Sequence, residues 1–268
     1  MRNTKWLSLF IWGTPVITQK ILMEELAPTV LSIGSKYYGW KWFFVRFWDG
    51  LPQFRFRILT DECGDDRSRQ HLSDLMLPYL HAGQIWKMEW QEYHPEIGRY
   101  GQANIRTIED LFYLQSKWAF CLFGQQLGEK ERLKILMDMV HYLFEKAFPK
   151  PMDQHLFVRE QHRFFGRRLK RSGPAKKSIS RAYRDIIIDG SSNLGRVQEG
   201  ANILKEMSMV LGQLEYTNEK TNFDLVRDVV HMMVNKCFLT DHGQWEFLLY
   251  EFLDRTYRSR LARNGKWA

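Results

Sequence analysis

Cysteine is scarce in this chain: its 268 residues include only Cys63, Cys121 and Cys237, which lie far apart without paired spacing. Zinc sites and disulfide frameworks need closely spaced or matched cysteines, so the sequence predicts neither. So few scattered thiols are typical of a protein in a reducing compartment. We therefore expect a cytoplasmic chain without a metal site.

Phosphate-binding glycine loops and long apolar runs are also missing. The nearest candidate loop, Asp189 to Gly195, lacks the G-x-x-x-x-G-K spacing, which disfavours an NTPase, kinase or dinucleotide enzyme. No stretch reaches the about 18 uncharged apolar residues that a membrane-spanning helix requires. The first apolar run is interrupted by Gly13 to Pro15 and is too short for a signal peptide. We expect no organic cofactor and no membrane span.

Aromatic residues, by contrast, make up 15% of the chain and include ten tryptophans, which predicts a well-packed core. Alternating patterns concentrate in residues 1–101, and helical spacing dominates residues 102–268. The pattern predicts one helix that begins at residue 15 and others at positions 70–81, 105–123, 129–148, 178–188, 195–213, 222–239 and 244–262. We therefore expect a single α+β domain over residues 1–268, with helices packed on one mixed sheet.

Some helix ends and loops are also predicted. Thr14 can cap the first helix, and Pro28 is expected to disturb it. Residues 61–69 are expected to form a charged loop, and residues 172–174 a turn. Pro149 and Pro151 are expected to end the helix that begins at residue 129.

Basic residues are concentrated in one segment. Residues 159–181 carry nine lysines and arginines against one acid, Glu160, and this excess equals the net charge of +8 for the whole chain. Such a strip favours an anionic partner such as an acidic peptide or a tRNA-bearing protein, although a solvated helix face would carry the same charge. No nucleic-acid motif accompanies it, so direct nucleic-acid binding is disfavoured.

Residues 40–59 predict a hairpin of two alternating strands joined near Gly50. Arg55 and Arg57 alternate with apolar residues on the second strand, so they share one face of the sheet. These arginines either lie on a solvated face, with their stems over aromatic rings, or form part of an anion site.

Three separated stretches stand out as motifs. They are WKWFFVRFWDGLPQFRFRI (40–58), QEYHPEIGRYG (91–101) and HMMVNKCFLTDHGQWEFLLYEFLDRTYRS (231–259). In this order they resemble the elimination domain of class I lantibiotic dehydratases. The opening WLSLFIWGTPVITQKILMEELAP (6–28) is similar to the first strand and helix of that domain. The resemblance covers most of the chain and is weakest between about residues 127 and 222.

This resemblance implies an enzyme that eliminates glutamate from glutamylated Ser or Thr of a ribosomal precursor peptide. A separate tRNA-dependent dehydratase subunit would then supply the glutamylated peptide, and a homodimer is left open. The thiopeptide pyridine synthases are a divergent branch of the same family and perform a formal aza-[4+2] cycloaddition between two dehydroalanines. A third alternative is a non-catalytic subunit that binds the precursor peptide or its partner.

The resemblance also implies which residues act in elimination. His231 is expected to transfer protons, Arg57 and Arg99 to stabilise the carboxylate or enolate, and Arg55 and Glu96 to orient these groups. On residue pattern alone, a histidine on a mixed helix such as that of His231 is more often structural. The expected substrate-binding residues are Arg46, Asn235, Arg167, Arg168 and Lys170.

The chain departs from the family pattern at several positions. Lys236 replaces an arginine, Gln102 replaces a glycine, and residues 114–117 replace a more acidic run. We expect these positions to affect packing or the substrate path more than proton transfer.

Overall fold

Four strands form one sheet in the order β2-β3-β1-β4. Their bounds are β1 (Thr4–Gly13), β2 (Trp42–Asp49), β3 (Leu51–Asp61) and β4 (Ile85–Glu92). Strands β2 and β3 form the predicted hairpin, in which Asp49 pairs with Leu51 across Gly50. Gly50 has a φ of +70°, which a side chain would disfavour, so glycine suits this tight turn.

The computed structural model describes residues 4–34, 41–61, 65–168, 179–185, 198–215 and 219–263. The chain divides after Gln125 into two compact units, the first of which contains the sheet. The α+β class predicted from the sequence is confirmed.

Every strand pairing in the sheet is antiparallel, whereas we expected a mixed sheet. The helical crossovers do join strands that run in the same direction, β1 to β2 and β3 to β4. In each case another strand lies between the two, β3 in the first and β1 in the second. This arrangement is the split β-α-β topology, in which parallel strands never become direct neighbours.

The first crossover is helical from Pro15 to Gly34. It consists of α1 (Pro15–Ile21), a π-helical turn (Leu22–Leu26) and α2 (Ala27–Gly34). Thr14 caps α1 as predicted, because its Oγ1 accepts a hydrogen bond from the Ile17 N–H at 3.3 Å. The helix was expected to be disturbed at Pro28, yet it continues past it. The widened turn, in which the Ala27 N–H bonds to the Leu22 carbonyl, accompanies the missing proline donor.

Helix α3 (Asp65–His81) forms the second crossover. It begins five residues earlier than predicted, since the charged run 65–69 was expected to be a loop. Acidic residues in a first helical turn interact favourably with the helix dipole, which explains why this polar sequence is helical. The short helix α4 (Ile97–Tyr100) and the long helix α5 (Ile105–Gly124) follow β4.

The crossover helices cover one face of the sheet and create the core of the first unit. Buried residues from the strands alternate in sequence, as the period of a strand requires. They are Leu7, Leu9, Ile11, Trp42, Phe44, Phe54, Phe56, Ile58 and Ile85, packed against Ile21, Leu22, Leu26, Ala27, Val30, Leu72 and Met76 of the helices. Each fully buried side chain of this size contributes roughly 1.5–3 kcal/mol to stability.

Helix α5 packs along the outer edge of β2. The Ser116 Oγ accepts a hydrogen bond from the backbone N–H of Phe44 at 3.2 Å, and Lys41 pairs with Asp110. Gln115 and Ser116, two of the departures from the family pattern, are fully buried. Both side chains are thus packed inside the first unit, and packing was one of the two roles expected for these positions.

The second unit consists of helices. They are α6 (Glu129–Ala147), α7 (Pro151–Arg168), α8 (179–185), α9 (Gln198–Leu211), α10 (Glu219–Cys237) and α11 (His242–Arg263). All but α7 were predicted to within a few residues at each described end. Pro151 was expected only to end the preceding helix, but proline is also favoured as the first residue of a new one. The turn predicted at residues 172–174 lies outside the described residues.

Within the described ranges, no helix combines the length and the apolar character needed to cross a membrane.

Candidate functional site

Arg55 and Arg57 lie on the sheet face opposite the helix-covered core. Arg57 pairs across the sheet with Ser8 of β1, and Arg55 pairs with Phe10. Alternation along β3 keeps both guanidinium groups on the same side of the sheet. The predicted shared face of these arginines is thus confirmed.

Arg57 is half-buried among aromatic rings and polar groups. Its Cζ lies 5.1 Å from the ring centre of Phe43 and 4.8 Å from that of Tyr93. Its Nε donates to the Ser8 Oγ at 3.4 Å. Burial lowers the pKa of Arg57, an effect that neighbouring Tyr93 opposes. Because an arginine pKa starts so high, the group remains charged at neutral pH.

Arg55 is also half-buried and lies between two aromatic rings. Its Cζ is 3.7 Å from the ring centre of Phe47 and 4.7 Å from that of Phe10, while its Nε donates to the Gln53 Oε1. Burial lowers the pKa of Arg55, and the carboxylates of Asp49 and Glu96 act in the opposite direction. Stacking holds the guanidinium plane in place without consuming all of its donors.

Glu96 and Arg99 lie three positions apart in the chain and form an ion pair. Glu96 precedes the first turn of α4, and its Oε2 lies 3.1 Å from the Arg99 Nη1. Both side chains are exposed. The Glu96 carboxylate raises the pKa of both Arg55 and Arg57, so it lies within electrostatic range of both. The structure therefore brings four of the predicted site residues together.

Sequence reasoning missed a half-buried acid beside this arginine face. Glu109 of α5 accepts a hydrogen bond from the Trp6 Nε1 at 2.9 Å and another from Tyr93. Burial raises the pKa of the Glu109 carboxyl. The pKa of Tyr93 is also raised, mainly by burial and then by the negative charge of the nearby Glu109. Tyr93 belongs to the QEYHPEIGRYG stretch, so its sequence context could have identified it as a site residue. Nothing in the sequence around Glu109 indicates a functional role.

Arg46 does not join this group. It lies on the opposite, helix-covered face of the sheet and is 7% exposed. Its Cζ is 5.1 Å from the ring centre of Phe44 and 5.5 Å from that of Phe54, and its Nη2 donates to Gln19. The expectation that Arg46 belongs to the same substrate-binding site is therefore wrong. Its side chain lies on the opposite face of the sheet from Arg55 and Arg57.

His231 lies on α10 and contacts a buried carboxylate of α11. Its Nδ1 is 2.7 Å from the Glu246 Oε1, and the His231 side chain is 40% exposed whereas that of Glu246 is 2% exposed. Asn235, one turn further along α10, is buried. The quoted HMMVNKCFLTDHGQWEFLLYEFLDRTYRS stretch contains Glu246, but sequence spacing did not indicate this contact.

A polar cluster surrounds the His231–Glu246 pair. Tyr250, one helical turn beyond Glu246, is fully buried, and burial raises its pKa well above the ordinary value. Glu246 raises that pKa further, and Arg227 of α10 opposes it. Arg227 forms an ion pair with Asp224 at 2.7 Å.

The basic strip is described only in part. Arg163 and Arg167 are exposed on α7, and Arg159 is half-buried. The side chain of Arg168 and the whole of Lys170 lie outside the described residues.

The predicted residues are thus divided between the two compact units. Arg55, Arg57, Glu96 and Arg99 belong to the first unit, while His231, Asn235 and the basic strip belong to the second. No group of three or more His, Cys, Asp or Glu among the residues that the structure describes could hold a metal ion.

The fold is similar to three solved structures of low sequence identity. The tRNA-dependent lantibiotic dehydratase MibB from Microbispora sp. 107891 matches 97% of this chain with a TM-score of 0.73 and 16% identity. The chain spans only 28% of MibB. TsrL matches with a TM-score of 0.65 and 12% identity over 96% of both chains.

TbtD, a pyridine synthase from thiomuracin biosynthesis, matches with a TM-score of 0.64 and 11% identity. The match covers 95% of this chain and 99% of TbtD. No curated protein matches the chain by sequence. The fold is therefore one that a lantibiotic dehydratase and a pyridine synthase share.

The family model for the C-terminal part of lantibiotic biosynthesis dehydratases matches residues 6–257. The chain belongs to this family, which confirms the resemblance drawn from its sequence motifs.

Proposed function

We propose that this protein eliminates glutamate from glutamylated Ser or Thr residues of a ribosomally made precursor peptide. The products would be dehydroalanine and dehydrobutyrine. The observation that carries the proposal is the arginine face, where Arg55 and Arg57 lie side by side within range of the Glu96–Arg99 pair. An elimination that expels a dicarboxylic acid needs such a set of fixed cations.

The reaction breaks the Cα–H and Cβ–O bonds and forms the Cα=Cβ π bond and a bond between the base and the proton. A base removes the proton from Cα, the electron pair forms the Cα=Cβ double bond, and the Cβ–O bond breaks so that glutamate departs as a carboxylate. Arg57 and Arg99 would stabilise the enolate or the departing carboxylate, because a guanidinium group can hold a carboxylate through two contacts. Half-burial of Arg57 strengthens its interaction with the substrate by lowering the local dielectric.

Arg55 and Glu96 have orienting roles in this proposal. The ring contacts of Arg55 fix its plane, and Glu96 holds Arg99 at 3.1 Å. His231 is the proposed proton-transfer group, an assignment that rests on its place in the closing motif and on its partly exposed imidazole.

The proposed partners follow from the same chemistry. Elimination needs a peptide that already carries glutamyl esters, so a separate tRNA-dependent glutamylating subunit would supply the substrate. The exposed Arg163 and Arg167 extend the basic strip along α7, which supports contact with the precursor peptide or that subunit.

Mass spectrometry of a glutamylated precursor incubated with purified protein tests the proposal. We expect the loss of one glutamic acid for each modified residue. The His231→Ala variant should bind the peptide normally and fail to eliminate. Full activity in that variant would remove His231 from its proposed role, and persistent glutamyl esters with the wild-type protein would refute elimination itself.

A pyridine synthase is the second candidate, because the fold match extends over 99% of the pyridine synthase TbtD. This activity would leave glutamylated peptides unchanged. It would instead convert a peptide with two dehydroalanines into a pyridine-containing macrocycle, so both peptides should be incubated with the same protein sample. Binding of the precursor without either reaction would indicate a non-catalytic subunit.

A further inference from the structure

Three acidic residues of α11 each contact a histidine of another helix. Glu251 lies 2.6 Å from the His162 Nε2, Asp254 lies 3.0 Å from the His155 Nε2, and Glu246 lies 2.7 Å from the His231 Nδ1. The first two acids also bind arginines of α11. Arg255 contacts Glu251 at 2.5 Å, and Arg258 contacts Asp254 at 2.5 Å.

The His231–Glu246 pair differs from the other two in its exposure. His155 is 6% exposed and His162 is 24% exposed at their side chains, whereas His231 is 40% exposed. Glu246, in contrast, is 2% exposed, and its Oε2 has no hydrogen-bond partner among the described residues. A buried carboxylate thus holds one ring nitrogen of a histidine whose remaining surface reaches solvent.

Burying a carboxylate with one oxygen unsatisfied costs free energy, and better packing would come from an apolar residue. The neighbouring Tyr250 cannot compensate the Glu246 charge, because a phenol is never positively charged; burial raises its pKa, which keeps it neutral. The arrangement therefore favours a role for the Glu246 charge beyond stability. Such polar groups are often retained where they orient a reacting side chain.

We propose that Glu246 is a positioning residue for His231. Its carboxylate accepts the proton of Nδ1–H, which fixes the ring orientation and the tautomer and leaves the lone pair on Nε2. Nε2 is then the nitrogen that can accept a proton from a substrate. This proposal rests on the proposed function in so far as His231 transfers the proton during elimination.

The tautomer of His231 can be measured in the free protein without substrate. Side-chain nitrogen shifts from ¹⁵N-histidine NMR distinguish Nδ1–H from Nε2–H when the ring is neutral. We expect the Nδ1–H form in the wild-type protein and a mixture or the Nε2–H form in Glu246→Ala. An Nε2–H ring in the wild-type protein would overturn the proposal, even if every Glu246 variant failed to fold.

Kinetics gives the second readout. Glu246→Ala should lower kcat for elimination about 100-fold and change KM less than about threefold, because binding of the peptide does not depend on the tautomer. Glu246→Asp, which keeps the carboxylate, should restore much of the loss. A purely structural role predicts that kcat falls only in proportion to the folded fraction.

Glu251→Gln is the matched control, since Glu251 lies on the same helix and also contacts a histidine. This variant should lose stability and keep both the His231 tautomer and kcat. The two hypotheses fail separately. A tautomer unchanged in Glu246→Ala overturns the positioning role, whereas a changed tautomer in a protein that never eliminates glutamate overturns only the proposed function.

Discussion

Arg46 and Arg55 lie on neighbouring strands of one hairpin and face opposite sides of the sheet. Val45 pairs with Arg55, and Arg46 pairs with Phe54. Paired residues share a face of the sheet and successive residues alternate, so the side chains of Arg46 and Arg55 point to opposite faces. Arg46 is enclosed by the crossover helices, whereas Arg55 joins Arg57 on the other face. One side of the hairpin thus uses a guanidinium in packing, and the other carries two half-buried guanidinium groups on the arginine face.

If the proposed function holds, Arg57→Ala should lower kcat/KM for glutamate elimination about 100-fold or more, because it removes the half-buried cation that this function assigns to the departing carboxylate. Arg57→Lys should recover only part of this loss, since an ammonium lacks the two-point geometry. Arg69→Ala is the control. Arg69 also stacks on an aromatic ring, 5.1 Å from the centre of Trp90, but it lies on α3. Equal losses in the two alanine variants would contradict the specific role of Arg57.

Arg46→Ala should act on stability rather than on catalysis. It removes a buried guanidinium that bonds to Gln19 and packs on three aromatic rings. The expected decrease in the free energy of unfolding is about 2 kcal/mol, measured by urea denaturation. Elimination per folded molecule should change less than about threefold. A large fall in kcat with unchanged stability would return Arg46 to the substrate-binding set.

Glu251 should contribute stability that depends on pH. Its hydrogen bond to His162, aided by Arg255, lowers the pKa of this carboxyl from 4.5 to about 2. Because the pKa of Glu251 is lower in the folded than in the unfolded state, its charged carboxylate stabilises the protein at pH values above the unfolded-state pKa. This contribution disappears as the pH falls toward the folded-state pKa. Glu251→Gln should therefore cost roughly 2 kcal/mol at neutral pH.

The difference in unfolding free energy between the wild-type protein and Glu251→Gln should narrow between pH 4.5 and about 2. Urea titrations at several pH values measure it, with the exposed Glu206→Gln as a control. A difference that stays constant over this range would show that the Glu251 charge is not its source.

Charge reversal of Arg167, Arg168 and Lys170 should weaken association with the precursor peptide or the glutamylating subunit at low salt. Screening reduces such interactions, so the affinities of the variant and the wild-type protein should converge as salt increases. Reversal of Lys130, Lys146 and Lys205, three exposed lysines of the same unit, is the control. Identical binding by the strip variant and the wild-type protein throughout a salt titration would contradict the role of the strip.

Much of the arginine face could be predicted because it depends on local spacing. The alternation of Arg55 and Arg57, the turn at Gly50 and the three-residue separation of Glu96 and Arg99 all determine geometry within one element. The ends of the helices could also be predicted from local spacing, wherever the sequence shows a clear 3.6-residue period. The prolines were less informative, since Pro151 begins a helix and the chain remains helical through Pro28.

Contacts between elements could not be predicted in this way. Glu246 reaches His231 across two helices, and Glu109 lies beside Tyr93 although 16 positions separate them in the chain. The strand pattern gave the alternation within each strand, but the register between β2 and β3, which puts Arg46 and Arg55 on opposite faces, came only from the structure. The pattern also did not show which face the helices cover. The periodicity of the backbone is set by each short segment, whereas the choice of buried face and the partners of a side chain depend on how separate segments pack.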